Sequence, residues 1–211
     1  MTQTSEAIAG RLLNAWAHWM QSYNAFEAMK VFVGCRNQYP LSGFPEFFAA
    51  VERQTSTLLY IHLGSLFDRQ GSTHSVPALV RFLEQMKPVE SKSQEEMLDR
   101  LGETDLLSIS TARGRFLEFA KRFDSPPNNE ALTRLKDARD KMIAHADRKR
   151  VDSQVTAAEV ERLLADVRAL LELAAVTYLD APETAKVGLK RPSTKGLTEL
   201  PDILSRLSLS T

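Results

Sequence analysis

Residues 131–147 read ALTRLKDARDKMIAHAD, and this stretch decides the fold class because its apolar residues recur at helical spacing. Positions three or four apart fall on one face of an α-helix, and the charged residues between them fall on the other faces. The spacing therefore predicts an amphipathic helix with one buried face. The series consists of Ala131, Leu135, Ala138, Met142 and His145.

The same periodicity continues through most of the chain, and no alternating run of branched residues is long enough to predict a strand. Asp124–Asn129 is a break ahead of the helix with residues 131–147, and Thr156 with Glu159 predicts a capping box that opens a long apolar helix. The other expected helices cover about residues 5–32 with Gly34 as the end, Pro45 to about Phe67, a short helix from Pro77, one from near Ser93, and about 104–123.

The pattern predicts an all-α protein with one helical domain over residues 1–180. Residues 181–211 are rich in Lys, Ser, Thr, Pro and Gly, and we expect them to form an extended or mobile tail.

A single cysteine, Cys35, excludes an intramolecular disulfide and a cysteine-based zinc site. Residues 1–6 carry no basic leader, and no apolar run reaches the roughly 20 residues that span a bilayer. We therefore expect a cytoplasmic protein without membrane contact.

Charge is balanced over the whole chain, with 27 basic and 27 acidic residues, so any nucleic-acid footprint has to be local. Residues 134–150 hold seven basic against three acidic residues and offer such a local surface for RNA. Residues 84–105 hold seven acids against three bases and are a poor surface for RNA.

Arg139, Asp140 and His145 bring three kinds of chemistry to one helix. An imidazole titrates near neutral pH and a guanidinium stays charged, so the pair offers a proton-transfer group and a fixed cation for a phosphodiester. In a regular helix six positions turn through about 600°, which leaves Arg139 and His145 about 120° and about 9 Å apart. They do not share a face, so the arginine has to bend toward the histidine or two chains have to complete one site.

Other interpretations of the residues around Arg139 and His145 stay open. His145 can act only as a cation at a helix C-terminus, and Asp137–Lys141 and Lys136–Asp140 can be ordinary surface pairs. Two further arginine and histidine pairs, Arg11 with His18 and Arg69 with His74, occur elsewhere, and we expect His18, His62 and His74 to be structural or exposed. The chain has no glycine-rich phosphate loop and no His-Glu-x-x-His pair.

Leu135–Asp147, with Ile143-Ala144-His145 closing the motif, resembles the higher eukaryotes and prokaryotes nucleotide-binding (HEPN) superfamily. Its abortive-infection U-type (AbiU-like) branch is the most similar. The resemblance includes the helix ending Leu63–Asp68 and the long helix after the motif, over roughly residues 45–180. Many members place a tyrosine two positions after the histidine; this chain has Asp147 there, so regulation through that tyrosine is not implied.

The resemblance implies a bundle of four to five core helices with extra helices. It implies a homodimer that brings two motifs into one cleft, where RNA is cut without a metal or cofactor. Arg139 and His145 would be the active pair and Asp140 the supporting polar residue, with Asp68 a weaker candidate. The basic residues expected to hold RNA are Arg134, Lys141, Arg148, Lys149 and Arg150.

The biological role implied is that of a ribonuclease toxin in phage defence or in a toxin–antitoxin system, where a cognate antitoxin would be a partner. Met142, Ile143 and the helix after Thr156 are candidates for the dimer contact. The alternative is a non-catalytic helical module that binds RNA, a nucleotide or a protein partner, since the superfamily also contains such members.

Overall fold

The computed structural model describes residues 3–38, 45–69, 75–89, 111–144 and 155–179. Within these ranges the chain forms six α-helices and one 3-10 turn and no strand, which confirms the predicted all-α class. No helix of the described ranges has the length and apolar character that crossing a membrane requires. The helices are α1 Gln3–Gln38, α2 Pro45–Leu66, α3 Val76–Glu84, α4 Ala112–Lys121, α5 Asn128–Ala144 and α6 Ala157–Tyr178, and the 3-10 turn Arg122–Asp124 follows α4.

Side-chain caps fix the start of α6 as the sequence predicts. The Thr156 hydroxyl accepts a hydrogen bond from the Glu159 backbone N–H at 3.2 Å, and the Glu159 carboxylate accepts from the Thr156 backbone N–H at 2.8 Å. This reciprocal pair satisfies two N–H groups that a helix start leaves without partners. The capping box is confirmed.

Two predicted boundaries of helices are wrong. Helix α1 continues through Gly34 to Gln38, because a glycine inside a helix costs only about 1 kcal/mol and Pro40 is the stronger stop signal. Helix α4 begins at Ala112 and not near residue 104, because Thr111 has an extended backbone and its hydroxyl accepts from the Gly114 N–H at 3.0 Å.

Helix α3 begins at Val76, one residue before the predicted start, with Ser75 as its cap and Pro77 in its first turn. The loop predicted around Tyr39–Gly43, the helix predicted near Ser93 and the tail over residues 181–211 lie outside the described residues.

Helix α6 forms the centre of the core, packed by α1 on one side and α4 on another. The indole N–H of Trp19 donates to the Leu164 carbonyl at 2.7 Å, and the Trp19 ring stacks between Trp16 and Tyr23. Phe116 of α4 meets Tyr178 edge to face, with ring centroids 5.5 Å apart. The apolar residues of α6 are mostly buried inside the chain, so few of them are exposed for contact with a second copy of the protein.

Candidate functional site

Helix α5, which carries the motif, is fixed against α6 at its first residue. The buried Asn128 side chain donates to the Asp166 carboxylate at 2.7 Å and accepts from Arg162 Nε at 3.0 Å. Further along α5, Arg134 forms an ion pair with Glu159 of α6. These polar contacts set the position of α5, and its Ala131, Leu135 and Ala138 form the buried face that the sequence predicts.

Arg139 and Asp140 lie together where α5 packs against α2. The Arg139 side chain is 22% exposed, and its Nε and Nη2 donate to one Asp140 carboxylate oxygen at 3.1 and 3.0 Å. Hydrogen bonds from a guanidinium to a carboxylate are charge-assisted and restrict the orientation of the planar group. Asp140 therefore orients Arg139 and leaves the Nη1 side of the guanidinium to other contacts.

The Arg139 side chain passes across α2 at Gly64. A β-carbon built on Gly64 would lie 2.7 Å from Arg139 Cδ and 3.3 Å from Nη1. Glycine lets another chemical group approach a backbone more closely than any other residue does. The two helices meet here with the arginine between them.

A cavity of about 830 Å³ opens beside this contact, between the end of α2, the 3-10 turn and α5. Three cations, Arg69, Lys136 and Arg139, and two carboxylates, Asp68 and Asp124, line it. Three cations against two carboxylates leave this lining with a net charge of +1, which suits a phosphate group better than an apolar ligand.

Arg69 also lines this cavity, although its spacing in the sequence pairs it with His74 and not with Arg139. Its Nη2 lies 2.5 Å from Asp124 Oδ1, and the two side chains are 69% and 71% exposed. The Phe67 and Phe123 rings line the same cavity and pack with centroids 5.3 Å apart. Nothing in the local sequence signals that Arg69 shares a cavity with Arg139, since 70 positions separate them.

A second, smaller cavity of about 430 Å³ adjoins the first at this ion pair. Its far wall, between α3 and α4, includes the apolar residues Val76, Pro77, Val80 and Leu117. The shared lining consists of Phe67, Arg69, Phe123, Asp124 and Leu132.

The remaining predicted site residues fall into three groups. Arg134 faces α6 and is paired with Glu159, while Lys141 is exposed near the end of α5. His145, which follows the last residue of α5, lies outside the described residues, and its role stays a prediction. The same holds for Arg148, Lys149 and Arg150, and for the side chains of Met142 and Ile143.

Three further observations concern charged and metal-binding side chains of the described residues. The Thr156 backbone N–H, together with the Thr156 hydroxyl and Arg134, lowers the pKa of Glu159 below its usual value of 4.5. Arg11, the partner of His18 in one competing pair, lies over the Phe82 ring at 4.1 Å, which gives it a structural contact. Among the described residues, no group of three or more His, Cys, Asp or Glu side chains is placed to hold a metal ion.

An all-α bundle with Arg139 and Asp140 on one helix is the arrangement that the resemblance to the HEPN superfamily implies. The family model HEPN_AbiU2, described as AbiU2, matches residues 10–191, and the chain belongs to this family. The resemblance drawn from Leu135–Asp147 is thereby confirmed. No curated protein and no solved structure matched the chain in the comparisons.

Proposed function

We propose that the protein is a metal-independent endoribonuclease that acts as a homodimer, with Arg139 and His145 as its catalytic residues. The observation that carries this proposal is the Arg139 guanidinium, which Asp140 orients on the wall of a cavity that also holds Arg69 and Lys136. A preorganised cation in a concave site is suited to stabilise charge that develops on a phosphate during reaction.

The chemistry follows from the two side chains. His145, in its neutral form, takes the proton from a ribose 2′-hydroxyl, and the 2′-oxygen then attacks the adjacent phosphorus. Arg139 binds the phosphate oxygens and stabilises the added negative charge. The bond to the 5′-oxygen breaks and that oxygen takes up the proton that His145 removed, which leaves a 2′,3′-cyclic phosphate and a 5′-hydroxyl end and returns His145 to its neutral form.

The dimer supplies what one chain lacks. In a regular helix, positions 139 and 145 fall on different sides, whereas a two-fold axis would repeat the same patch and gather four side chains around one cleft. On the described surface, Leu58 and Ile61 of α2 are exposed, and Ile61 lies one turn before Gly64. An interface over these two residues would lie close to the Arg139 cavity.

Family membership supports the biological part of the proposal. An AbiU2-type protein with this activity would act as a toxin in phage defence or in a toxin–antitoxin system, and a cognate antitoxin would hold it inactive. Cleavage would take place in the cytoplasm. Arg148, Lys149 and Arg150, together with Lys141, would extend the basic surface beyond the cavity and hold the RNA strand.

The decisive experiment incubates the full chain with single-stranded RNA in the presence of EDTA and analyses the ends of the products. We expect cleavage with 2′,3′-cyclic phosphate ends. His145→Ala should lose about 100- to 10,000-fold in rate, which is the range of general acid–base catalysis. Arg139→Ala should lose about 100- to 1,000-fold, which is the range for removing a group that stabilises transition-state charge. Circular dichroism should show that both variants stay folded.

Matched controls separate the site from general damage. His74→Ala and Arg53→Ala should cleave RNA at the wild-type rate. The sequence predicts a structural or exposed role for His74, and Arg53 is exposed in α2. If cleavage survived His145→Ala, or if EDTA abolished it, the mechanism would be wrong. RNA binding without cleavage by the wild type would instead favour the non-catalytic module.

A further inference from the structure

We propose that Gly64 of α2 is a positioning residue for Arg139: the missing side chain leaves the space through which the arginine reaches the cavity. This inference rests on the proposed ribonuclease function only for its effect on cleavage. The contact between the two residues is a separate structural claim.

The contact leaves no room for a side chain at position 64 while Arg139 keeps its present position. An added β-carbon would lie 2.7 Å from Arg139 Cδ, 3.3 Å from Nη1 and 3.5 Å from Nε. Non-bonded carbons prefer about 3.5–4.0 Å, so the first of these distances requires a movement. Cδ lies in the middle of the side chain, and its displacement therefore moves the guanidinium as well.

The backbone of α5 has little freedom to absorb that movement. Leu135 and Ala138, in the turn before Arg139, are buried in the chain, and Asn128 ties the start of α5 to α6. Close-packed elements of this kind resist a shift of the whole helix. The arginine side chain would have to move instead, and it would give up its bonds to Asp140 or its place on the cavity wall.

Another helical glycine shows that Gly64 is not an ordinary one. Around Gly10 of α1 an added β-carbon would meet no atom within 4 Å. Alanine at such an open helical position normally stabilises a protein, because it reduces the freedom of the unfolded chain. Gly10→Ala is therefore a matched control that reports the effect of helix propensity alone.

A double-mutant cycle in thermal stability tests the contact without reference to activity. Arg139→Ala removes the atoms that a β-carbon at position 64 would touch. In that background Gly64→Ala should raise the melting temperature, as Gly10→Ala should in the wild type. With Arg139 present, Gly64→Ala should give no rise or a fall. An equal change in both backgrounds, including failure to fold in both, would overturn the proposal.

Cleavage kinetics test the positioning role. Gly64→Ala should lower kcat on the order of 100-fold, as small displacements of positioned groups do, with KM near the wild-type value. It should not lower further the residual rate of Arg139→Ala. An undiminished kcat in Gly64→Ala would overturn the positioning role. If the wild type cleaved no RNA, the proposed function would fail, and the stability cycle alone would decide on Gly64.

A spectroscopic readout follows the guanidinium directly. In the wild type the Arg139 Nε–H donates to Asp140, so its NMR signal should exchange slowly with water; Arg139→Lys identifies the signal by its loss. Gly64→Ala should shift this signal and speed its exchange, whereas Gly10→Ala should leave it in place. An unchanged signal in Gly64→Ala would overturn the proposal.

Discussion

Arg134 of α5 forms an ion pair with Glu159 of α6, and Glu159 at the same time closes the capping box with Thr156. One carboxylate thus fixes the start of α6 and joins it to the motif helix. Because of this ion pair, the Arg134 side chain lies on the side of α5 that faces α6. The pair predicts a measurable response to acid.

Stability should fall in acid through Glu159. Its folded-state pKa is lowered, so its contribution to the free energy of unfolding is complete above the unfolded value of about 4.5 and is lost as the pH falls through the folded value. The difference in melting temperature between Glu159→Gln and wild type should be largest near pH 7 and should shrink as the pH falls below about 4.5. Glu161→Gln, a more exposed neighbour on α6, serves as the control. A constant difference between Glu159→Gln and wild type from pH 7 to pH 3 would contradict this.

The Thr156 cap should contribute a measurable part of the free energy of unfolding. Thr156→Ala removes the hydroxyl that accepts from the Glu159 N–H, and we expect a loss of about 1 kcal/mol in the free energy of unfolding. Urea unfolding of the full chain at pH 7 measures it. Thr133→Ala is the matched control, since its hydroxyl only bonds the carbonyl four residues earlier in α5. Equal losses in the two variants would argue against a specific cap.

Asp124 should compete with RNA for Arg69. Exposed ion pairs contribute only about 0–1 kcal/mol, so a phosphate can replace the carboxylate on Arg69 at little cost. Asp124→Asn should tighten RNA binding a few-fold, and Arg69→Ala should weaken it. Arg69→Ala should also reduce by about one the slope of log affinity against log salt concentration. Fluorescence anisotropy with labelled RNA measures both, and Arg53→Ala controls for loss of a surface charge. Unchanged binding in both Arg69→Ala and Asp124→Asn would exclude Arg69 from the RNA surface.

Asp140 should act through Arg139. Asp140→Asn keeps one acceptor oxygen but removes the charge, so we expect kcat for RNA cleavage to fall about 10-fold with little change in the melting temperature. Asp137→Asn, also exposed on α5, is the matched control and should cleave normally. A loss in Asp140→Asn that persisted in full in an Arg139→Ala background would show that Asp140 does not work through the arginine.

The dimer should depend on the exposed apolar residues of α2. Leu58 and Ile61 are 50% and 38% exposed, and the double change to Glu would place charges in an interface formed there. Sedimentation should give about twice the 23.7 kDa chain mass for the wild type and the single-chain mass for the variant. Leu13→Glu alters a similarly exposed leucine of α1 and should leave the dimer intact. A wild-type monomer, or a dimer unaffected by the double change, would refute this interface.

Local patterns in the sequence determined the all-α class, the buried face of α5, the capping box at Thr156 and the membership suggested by Leu135–Asp147. These features depend on residues within one or two helical turns, where backbone geometry alone fixes which side chains are neighbours. Gly34 misled the prediction of a helix end, because a single glycine is only weakly unfavourable inside a helix whose other residues favour it. The cap at Thr111 was not predicted, because the apolar periodicity continues across this residue and indicates one uninterrupted helix.

The tertiary structure alone decided which distant residues meet. Gly64 and Arg139 are 75 positions apart and touch only because α2 packs against α5, while Arg69 enters the same cavity because the chain leaves α2 beside the 3-10 turn. Arg134 carries the same charge in the sequence as Arg139, yet it faces α6 and is paired there. Charge and spacing in the sequence cannot tell which of the two arginines lines the cavity, because the direction in which a helix packs depends on buried contacts from the whole chain. A capping box, in contrast, needs only four consecutive residues and can be predicted from them.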